Sequence, residues 1–343
     1  MQGVKRKMKE NFINYIPLKV YRRLRWEREQ KKDYTRITTQ YGKEYAQMCY
    51  QAEKAIYLGR PTDEILNLQK KRDSFILENI KQQCATVLQK AGQYQTENVP
   101  RNPNEPVWVF WWTGEENAPE IVKACIRSIR HNANGHRVIV IDKSNVLKYI
   151  QLPDYIEEKH NSGKIGHAHY SDMVRLSLLS QYGGVWIDAT VFISQPLPEF
   201  LFEKKFYTAK SVNNQAFYFS RSRWVGYFLA GSKTFPLFAF ARDMLLEYWR
   251  DTDIIVSYLL MDYIFDIAYH VIPSVKDVMD RLPDNNPDRG ALMSRINEPY
   301  SEALFDMLQN GSTFLSKLSW RYGNPTATTK SGEMTNYGHL LNL

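Results

Sequence analysis

The chain has 343 residues, 43% hydrophobic and 13% aromatic, enough to bury a large core and too apolar for a disordered segment. The net charge of +8 is concentrated: residues 1–32 hold eleven Lys or Arg against three Glu, and the remainder carries 34 of each sign. No run approaches the roughly 20 apolar residues of a membrane-spanning helix, no apolar signal segment opens the chain, and Cys49, Cys84 and Cys125 are spaced like neither a disulfide framework nor a zinc site, so a cytoplasmic protein with reduced thiols is expected.

The basic N-terminal segment interleaves its charges with Phe12, Ile13, Tyr15, Ile16, Leu18, Val20, Tyr21, Leu24 and Trp26, and Pro17 divides it in two. Such a stretch can lie on an anionic membrane surface, placing the protein peripherally on an inner membrane face, or it can be a helical arm with a solvated charged side. Basic arms also bind nucleic acid, but no recognition module accompanies this one, so no nucleic-acid partner is expected. From about 35 to 95 the spacing is helical, with Thr62 suited to cap the start and Gly92 the end of a helix. Residues 1–95 thus form a basic arm and helical region, 96–106 (TENVPRNPNEP) a linker, and 107–343 the main domain with C-terminal helices and a tail.

VWVFWW reads as the first strand of that domain, APEIVKACIRSIRHN as a helix, HRVIVID as a second strand and NVLKYI as a short helix. This βαβα order predicts an α/β fold with a mostly parallel sheet. Ligands of such sheets bind beyond the carboxyl ends of the strands, which puts Trp112, Thr113, Gly114 and Asp142 at the mouth of a site. Alternation sends Trp111 and Trp112 to opposite faces, so one of them is expected in the core. Asp142 either takes a hydroxyl or ring N–H of a bound ligand, or closes a turn with Lys143, Ser144 and Asn145.

Residues 169–191, HYSDMVRLSLLSQYGGVWIDATV, are the most informative segment. Apolar residues at helical spacing predict a helix from a Ser171 cap, with Asp172 and Arg175 one turn apart on one face. Gly183 and Gly184 supply the positive φ that turns the chain into a buried strand, VWIDATVFI, along which Asp188 and Thr190 share a face. An Asp in so apolar a strand needs a cation or ligand hydroxyl beside it. His167 and His169 read as loop residues. Further on, a helix around 253–270 carries Asp262 and Asp266 among aromatic residues, where they either meet acceptor hydroxyls or are satisfied structurally. The C-terminal tail, with Lys317, Arg321, Asn336 and His339, reads as a closing lid or as a disordered stretch with solvated charges.

The combination SDxxRxxxLxxxGGxWxDxT resembles the core of sugar-transferring families with a DXD motif, and its WIDAT form is most similar to the capsular polysaccharide synthesis proteins. The similarity runs over roughly residues 105 to 343, including VFWWTGEENAPEIVKACIRSI, LLEYWRDTDIIVSYLLMDYIFDIAY and LSWRYG. The resemblance implies a GT-A fold, Rossmann-like, and a hexosyltransferase, of retaining type, that uses a nucleoside diphosphate sugar, a UDP-sugar first among them. It implies a glycan acceptor, lipid-linked, in capsule or other surface polysaccharide synthesis. By the same resemblance Asp172 and Arg175 hold donor hydroxyls and the diphosphate region, and Asp188 holds Mn2+ or Mg2+ with Thr190 offering a neutral oxygen in place of a second acid. Trp112 matches the W-x-G turn whose Trp stacks on the base in toxin-type transferases. Lys317 and Arg321 are expected to neutralise the departing diphosphate. Two alternatives stay open: Thr190 allows a sugar-nucleotide-binding protein without turnover, and the basic N-terminal arm allows a membrane-surface scaffold.

Overall fold

The computed structural model describes residues 34–57, 62–97, 99–210, 219–321 and 325–343. The basic arm anticipated at the N-terminus lies outside the described residues. The chain divides into two units, one reaching to Asn79 and including Ile254–Tyr258, the other formed by Ile80–Asp253 and Leu259–Leu343.

The first unit is helical: α1 (residues 34–41), α2 (Lys43–Tyr57) and the greater part of α3 (Asp63–Gln83). Thr62 begins α3, its hydroxyl accepting from the Ile65 N–H at 3.3 Å. Tyr45 stacks on Phe75 with ring centroids 4.1 Å apart, and the hydroxyls of Tyr41 and Tyr45 donate to the carbonyls of Ile254 and Val256. The helix does not run on to Gly92. It stops at Gln83, the short helix α4 (Ala85–Gln89) follows, and residues 91–93 form a 3-10 turn.

The second unit has the α/β class and mostly parallel sheet expected of a GT-A chain. Its five-stranded sheet runs β2-β1-β3-β6-β5, built from β1 (Val107–Phe110), β2 (Val138–Ile141), β3 (Gly184–Ile187), β5 (Phe206–Thr208) and β6 (Phe228–Gly231). β1 pairs in parallel with β2 and β3, and β6, antiparallel to both β3 and β5, is the one strand reversed. A two-stranded ribbon, β4 (Val191–Ile193) with β7 (Leu315–Lys317), stands beside it. Strand alternation sorts the side chains into two layers. Val107, Val109, Val185 and Ile187 share one core cluster with Ile121, Val122, Cys125, Ile126 and Ile129 of α5 (Glu120–His131). Trp108, Phe110 and Trp186 meet aromatic rings on the other side, among them Tyr149, Tyr170 and Tyr182. The anticipated helix at NVLKYI is only a 3-10 turn, Val146–Lys148.

The linker is pinned. Arg101 pairs with Glu105 and donates to the carbonyls of Leu201, Lys204 and Gly231, so the residues leading into β1 are held to the sheet edge. The C-terminal residues are also ordered: bridges join Thr328 to Met334 and Pro299 to Thr335, and a helix spans Asn336–Asn342. Residues 325–343 are therefore built into the unit, contrary to the disordered reading of the tail.

Candidate functional site

The segment that carries the motif folds differently from its pattern at two places. The helix, α7 (His167–Tyr182), begins four residues before Ser171, with Gly166 at its cap position. Burial of His169 and Tyr170 draws the first turn into the helix, and Ser171 lies inside it. Its end is as expected: Gly183 and Gly184 have φ of 71° and 100°, and a Cβ on Gly184 would stand 2.2 Å from the Pro106 carbonyl oxygen. Only glycine permits both that φ and that approach.

The second difference is the strand. β3 ends at Ile187, and Asp188, Ala189 and Thr190 form a turn closed by a hydrogen bond from the Val191 N–H to the Asp188 carbonyl at 2.9 Å. The chain then leaves the main sheet as β4. Asp188 and Thr190 do come together, but through the turn and not through strand alternation. The position is the carboxyl end of β3, level with the carboxyl ends of β1 and β2, where Trp111 to Gly114 and Asp142 also lie.

Around Asp188 the charges alternate along a connected chain. Asp172 Oδ1 lies 3.1 Å from Arg175 Nη1, Arg175 Nη2 donates to Asp188 Oδ1 at 3.0 Å, and Lys317 Nζ donates to Asp188 Oδ2 at 3.3 Å and to Thr190 Oγ1 at 2.6 Å. Trp186 Nε1 also donates to Asp188 Oδ1, at 2.9 Å, and the Trp186 ring lies beneath the guanidinium, 4.8 Å from its carbon. Burial pushes the Asp188 carboxyl up, but the Lys317 ammonium, the Arg175 guanidinium and the Trp186 N–H outweigh it and its pKa is lowered. Arg175 is only 5% exposed and its Nε has no hydrogen-bond partner among the described residues. Gly226 makes room for it: a Cβ there would meet Arg175 Nη1 at 2.8 Å and Met261 Cε at 2.5 Å.

Lys317 is positioned by the ribbon. It pairs with Val191 across β4 and β7, its N–H donates to the Arg289 carbonyl, and the Leu318 N–H donates to the Thr190 carbonyl at 2.9 Å. Its ammonium lies 5.0 Å from the centre of the Tyr227 ring, whose hydroxyl is raised in pKa by burial, against the influence of a hydrogen-bonded Arg289.

Asp262, on α10 (Leu260–Val271), borders the same region. Burial raises its pKa to about 6 against a hydrogen bond from Trp224 Nε1 at 2.9 Å, and the Asp172 charge adds to the rise. Asp266 is satisfied structurally by Arg223 at 2.6 Å. Trp186, Tyr227 and Gly226 escape a reading by residue type. Trp186 alone carried a signal, since its i,i+2 spacing to Asp188 places it on the same side of a strand.

The remaining candidates scatter. Trp112 is half-buried, with the rings of His160, His167 and Tyr170 at centroid distances of 4.7, 5.8 and 5.3 Å, while Trp111 meets Trp320 edge-on at 5.6 Å. His167 and His169 sit in the first turn of α7, and His167 Nδ1 is 2.9 Å from His160 Nε2. Gly114 has φ of 82° and ends the turn closed onto the Trp111 carbonyl. Asp142 Oδ1 accepts from the Ser144 N–H and hydroxyl at 2.7 and 2.6 Å, the turn-closing arrangement. Arg321 is exposed, with its guanidinium over the Trp320 ring at 4.8 Å. Asn336 is fully buried and bonds the Arg295 carbonyl and the Ser301 N–H, and His339 packs on Tyr300 and Phe305, so neither belongs to the site.

The resemblance implies a divalent cation at these donors. A Mg2+ or Mn2+ site needs carboxylate oxygens open to the ion at about 2.0–2.2 Å. Both Asp188 oxygens already accept from N–H donors, two of them cationic, and the Thr190 hydroxyl is taken by the Lys317 ammonium. No group of three His, Cys, Asp or Glu suited to a metal occurs among the described residues. The side chains at Asp188 therefore do not fit a divalent ion.

Among known proteins, the chain is 30% identical over 114 residues to the O-glycosyltransferase braB of Annulohypoxylon truncatum, a match covering 31% of this chain and 27% of the relative. It is 29% identical over 112 residues to the O-glycosyltransferase PaGT of Phomopsis amygdali, covering 29% of this chain and 27% of the relative. The chain thus spans about a quarter of the length of the curated relatives it matches. A solved structure, the PaToxG glycosyltransferase, aligns over 62% of this chain and 83% of its own at 18% identity, with a TM-score of 0.37. The model of the capsular polysaccharide synthesis protein family matches residues 61–339, and with the SDxxR helix, the glycine turn and the WIDAT acid all inside that span, the chain belongs to this family.

Proposed function

We propose that this protein is a glycosyltransferase of capsular or other surface polysaccharide synthesis, moving a hexose from a nucleoside diphosphate sugar, UDP-sugars first, to a hydroxyl of a lipid-linked glycan. The observation that carries the reading is the chain Asp172, Arg175, Asp188, Lys317 at the carboxyl end of β3, where an α/β sheet binds ligands. Its two cations suit a diphosphate, and its carboxylates suit sugar hydroxyls.

In the reaction, the bond from the anomeric carbon to the diphosphate breaks and its electron pair stays on the phosphate oxygen. The acceptor oxygen forms the new bond, and its proton is released. Arg175 and Lys317 stabilise the charge that grows on the leaving diphosphate, and Asp172 orients the donor sugar. Asp262, with its pKa raised to about 6, is placed to hold or receive a proton near neutrality. Retention of configuration is the stereochemical outcome to test first.

The test is nucleotide release across a panel of donors by wild type, Asp188→Asn and Arg175→Lys. Release from one donor, with loss in both variants while they stay folded, is expected. Undiminished release from Asp188→Asn would refute the site. The basic segment of residues 1–32 supports work at an inner membrane surface. Among the described residues no helix is long and apolar enough to cross a membrane. Pelleting with anionic vesicles should fall when residues 1–32 are removed, and unchanged pelleting would end that part of the proposal.

A further inference from the structure

We propose that the Lys317 ammonium is the resident cation of this site, standing between Asp188 and Thr190 where a divalent ion would otherwise sit, so that the donor diphosphate is bound and released without a metal. The inference rests on the donor-site reading above and adds to it the identity of the counter-ion.

Three observations carry it. The ammonium is held by one side-chain oxygen of each of Asp188 and Thr190, 3.3 Å from Oδ2 of the first and 2.6 Å from Oγ1 of the second, so it occupies the junction that two such residues offer a cation. It is fixed there by main chain: the Val191–Lys317 register, the Leu318 to Thr190 hydrogen bond and the Lys317 to Arg289 hydrogen bond hold its backbone on both sides. Charge balance agrees with this placement. Asp172, Arg175, Asp188 and Lys317 sum to zero, and Arg289 beside Tyr227 offsets the bordering carboxyl of Asp262, whereas a site that recruits a divalent ion needs uncompensated carboxylates.

The presence of threonine at 190 then has a physical reason. A monovalent ammonium is neutralised by one carboxylate and satisfied further by a neutral acceptor. A second acid at 190 would leave an unmatched negative charge facing the incoming diphosphate. Thr190 and Lys317 are in this sense one device, a hydroxyl and an ammonium in place of an acid and a metal ion.

The experiment is calorimetric titration of the full chain with UDP and with GDP, in EDTA and in Mn2+, using wild type, Lys317→Met, Lys317→Arg and the double variant Lys317→Met with Thr190→Asp. Mn2+ alone is followed by its electron paramagnetic resonance signal, and thermal unfolding checks that each variant is folded. Wild type is expected to bind nucleotide equally in EDTA and Mn2+, and to leave the Mn2+ signal undiminished. Lys317→Met should bind about tenfold more weakly or worse, the scale of one lost charge-assisted contact, with Lys317→Arg partly restoring it. The double variant should regain nucleotide only with Mn2+.

Wild-type affinity that collapses in EDTA, or a Lys317→Met variant that binds as wild type does, overturns the inference and leaves the donor site standing. Failure of either nucleotide to bind wild type in both buffers overturns the donor-site reading and the inference with it.

Discussion

Removing the charge of Asp188 is the most direct physical test of the network. In Asp188→Ala, among the described residues Arg175 would keep Asp172 as its ionic partner and Lys317 the Thr190 hydroxyl and the Tyr227 ring, while the Trp186 N–H would lose its acceptor. Breaking a buried ion pair by deleting one member costs about 3–5 kcal/mol. The Arg175 side chain is 7% exposed and belongs to that regime, but Lys317 at 32% is partly screened and adds nearer ~1 kcal/mol. With Arg175 kept at the low end of that range by Asp172, a loss of about 4 kcal/mol is expected for Ala, and about 1.5 kcal/mol for Asn, which still offers an oxygen to Trp186 and Arg175. The sign with pH is fixed by the lowered pKa of Asp188: its contribution is present above the ordinary 3.8 and disappears as pH falls through the still lower folded value. Urea unfolding of wild type and Asp188→Asn from neutral pH into acid should show a constant gap that closes below the ordinary carboxylate range. A variant as stable as wild type at neutral pH, or a gap that persists in acid, would show that the carboxylate is not held as described.

Gly184→Ala should destabilise by about 3 kcal/mol through both φ of 100° and the clash with the Pro106 carbonyl. Gly163→Ala, at φ of 75° with open space around it, should cost nearer ~1 kcal/mol, and equal losses in thermal unfolding would discredit the close-approach argument. Two titrations of opposite sign are expected as well. Burial and His167 lower His160 to about 4, so its contribution to stability is lost as pH falls from 6.5 towards that value, and His160→Gln should flatten this acid-side slope. Asp262 is raised to about 6, so its contribution is present below 3.8 and lost as pH rises through about 6; Asp262→Asn should remove that loss, and unchanged pH–stability curves in both variants would contradict the burial assigned to them.

What the sequence conveyed was local. Two adjacent glycines, a helical apolar period before them and a β-rich run after them are sufficient to place Arg175 and Asp188 near one another, because only a few residues of sharp turning separate their elements. The turn at Asp188 was hidden because Val185, Ile187, Val191 and Ile193 are all fully buried on both sides of it, and a continuous apolar run shows no break. The start of α7 was hidden for the opposite reason. Its first turn is polar, and packing of Tyr170 and His169 overrides that local signal. Lys317 was visible as a useful cation, but its contact with Asp188 spans 129 positions and depends on the β4–β7 pairing, which no local period encodes. Trp112 and Asp142 were placed correctly beyond their strands, yet their side chains are engaged by His160 and Tyr170 and by Ser144, partners decided by turn geometry and packing.

The β4–β7 ribbon gives the cation site a discrete character. Successive side chains on a strand face opposite ways, so a slip of one residue in β7 would present Ser316 or Leu318 to the Asp188–Thr190 turn and remove the ammonium altogether. Loops between Ile193 and Leu315 can therefore change in length without altering the charge at the site, provided β7 returns with Lys317 opposite Val191. Charge at the site is set by a single register, so a slip of β7 in either direction leaves the ammonium absent and not merely displaced.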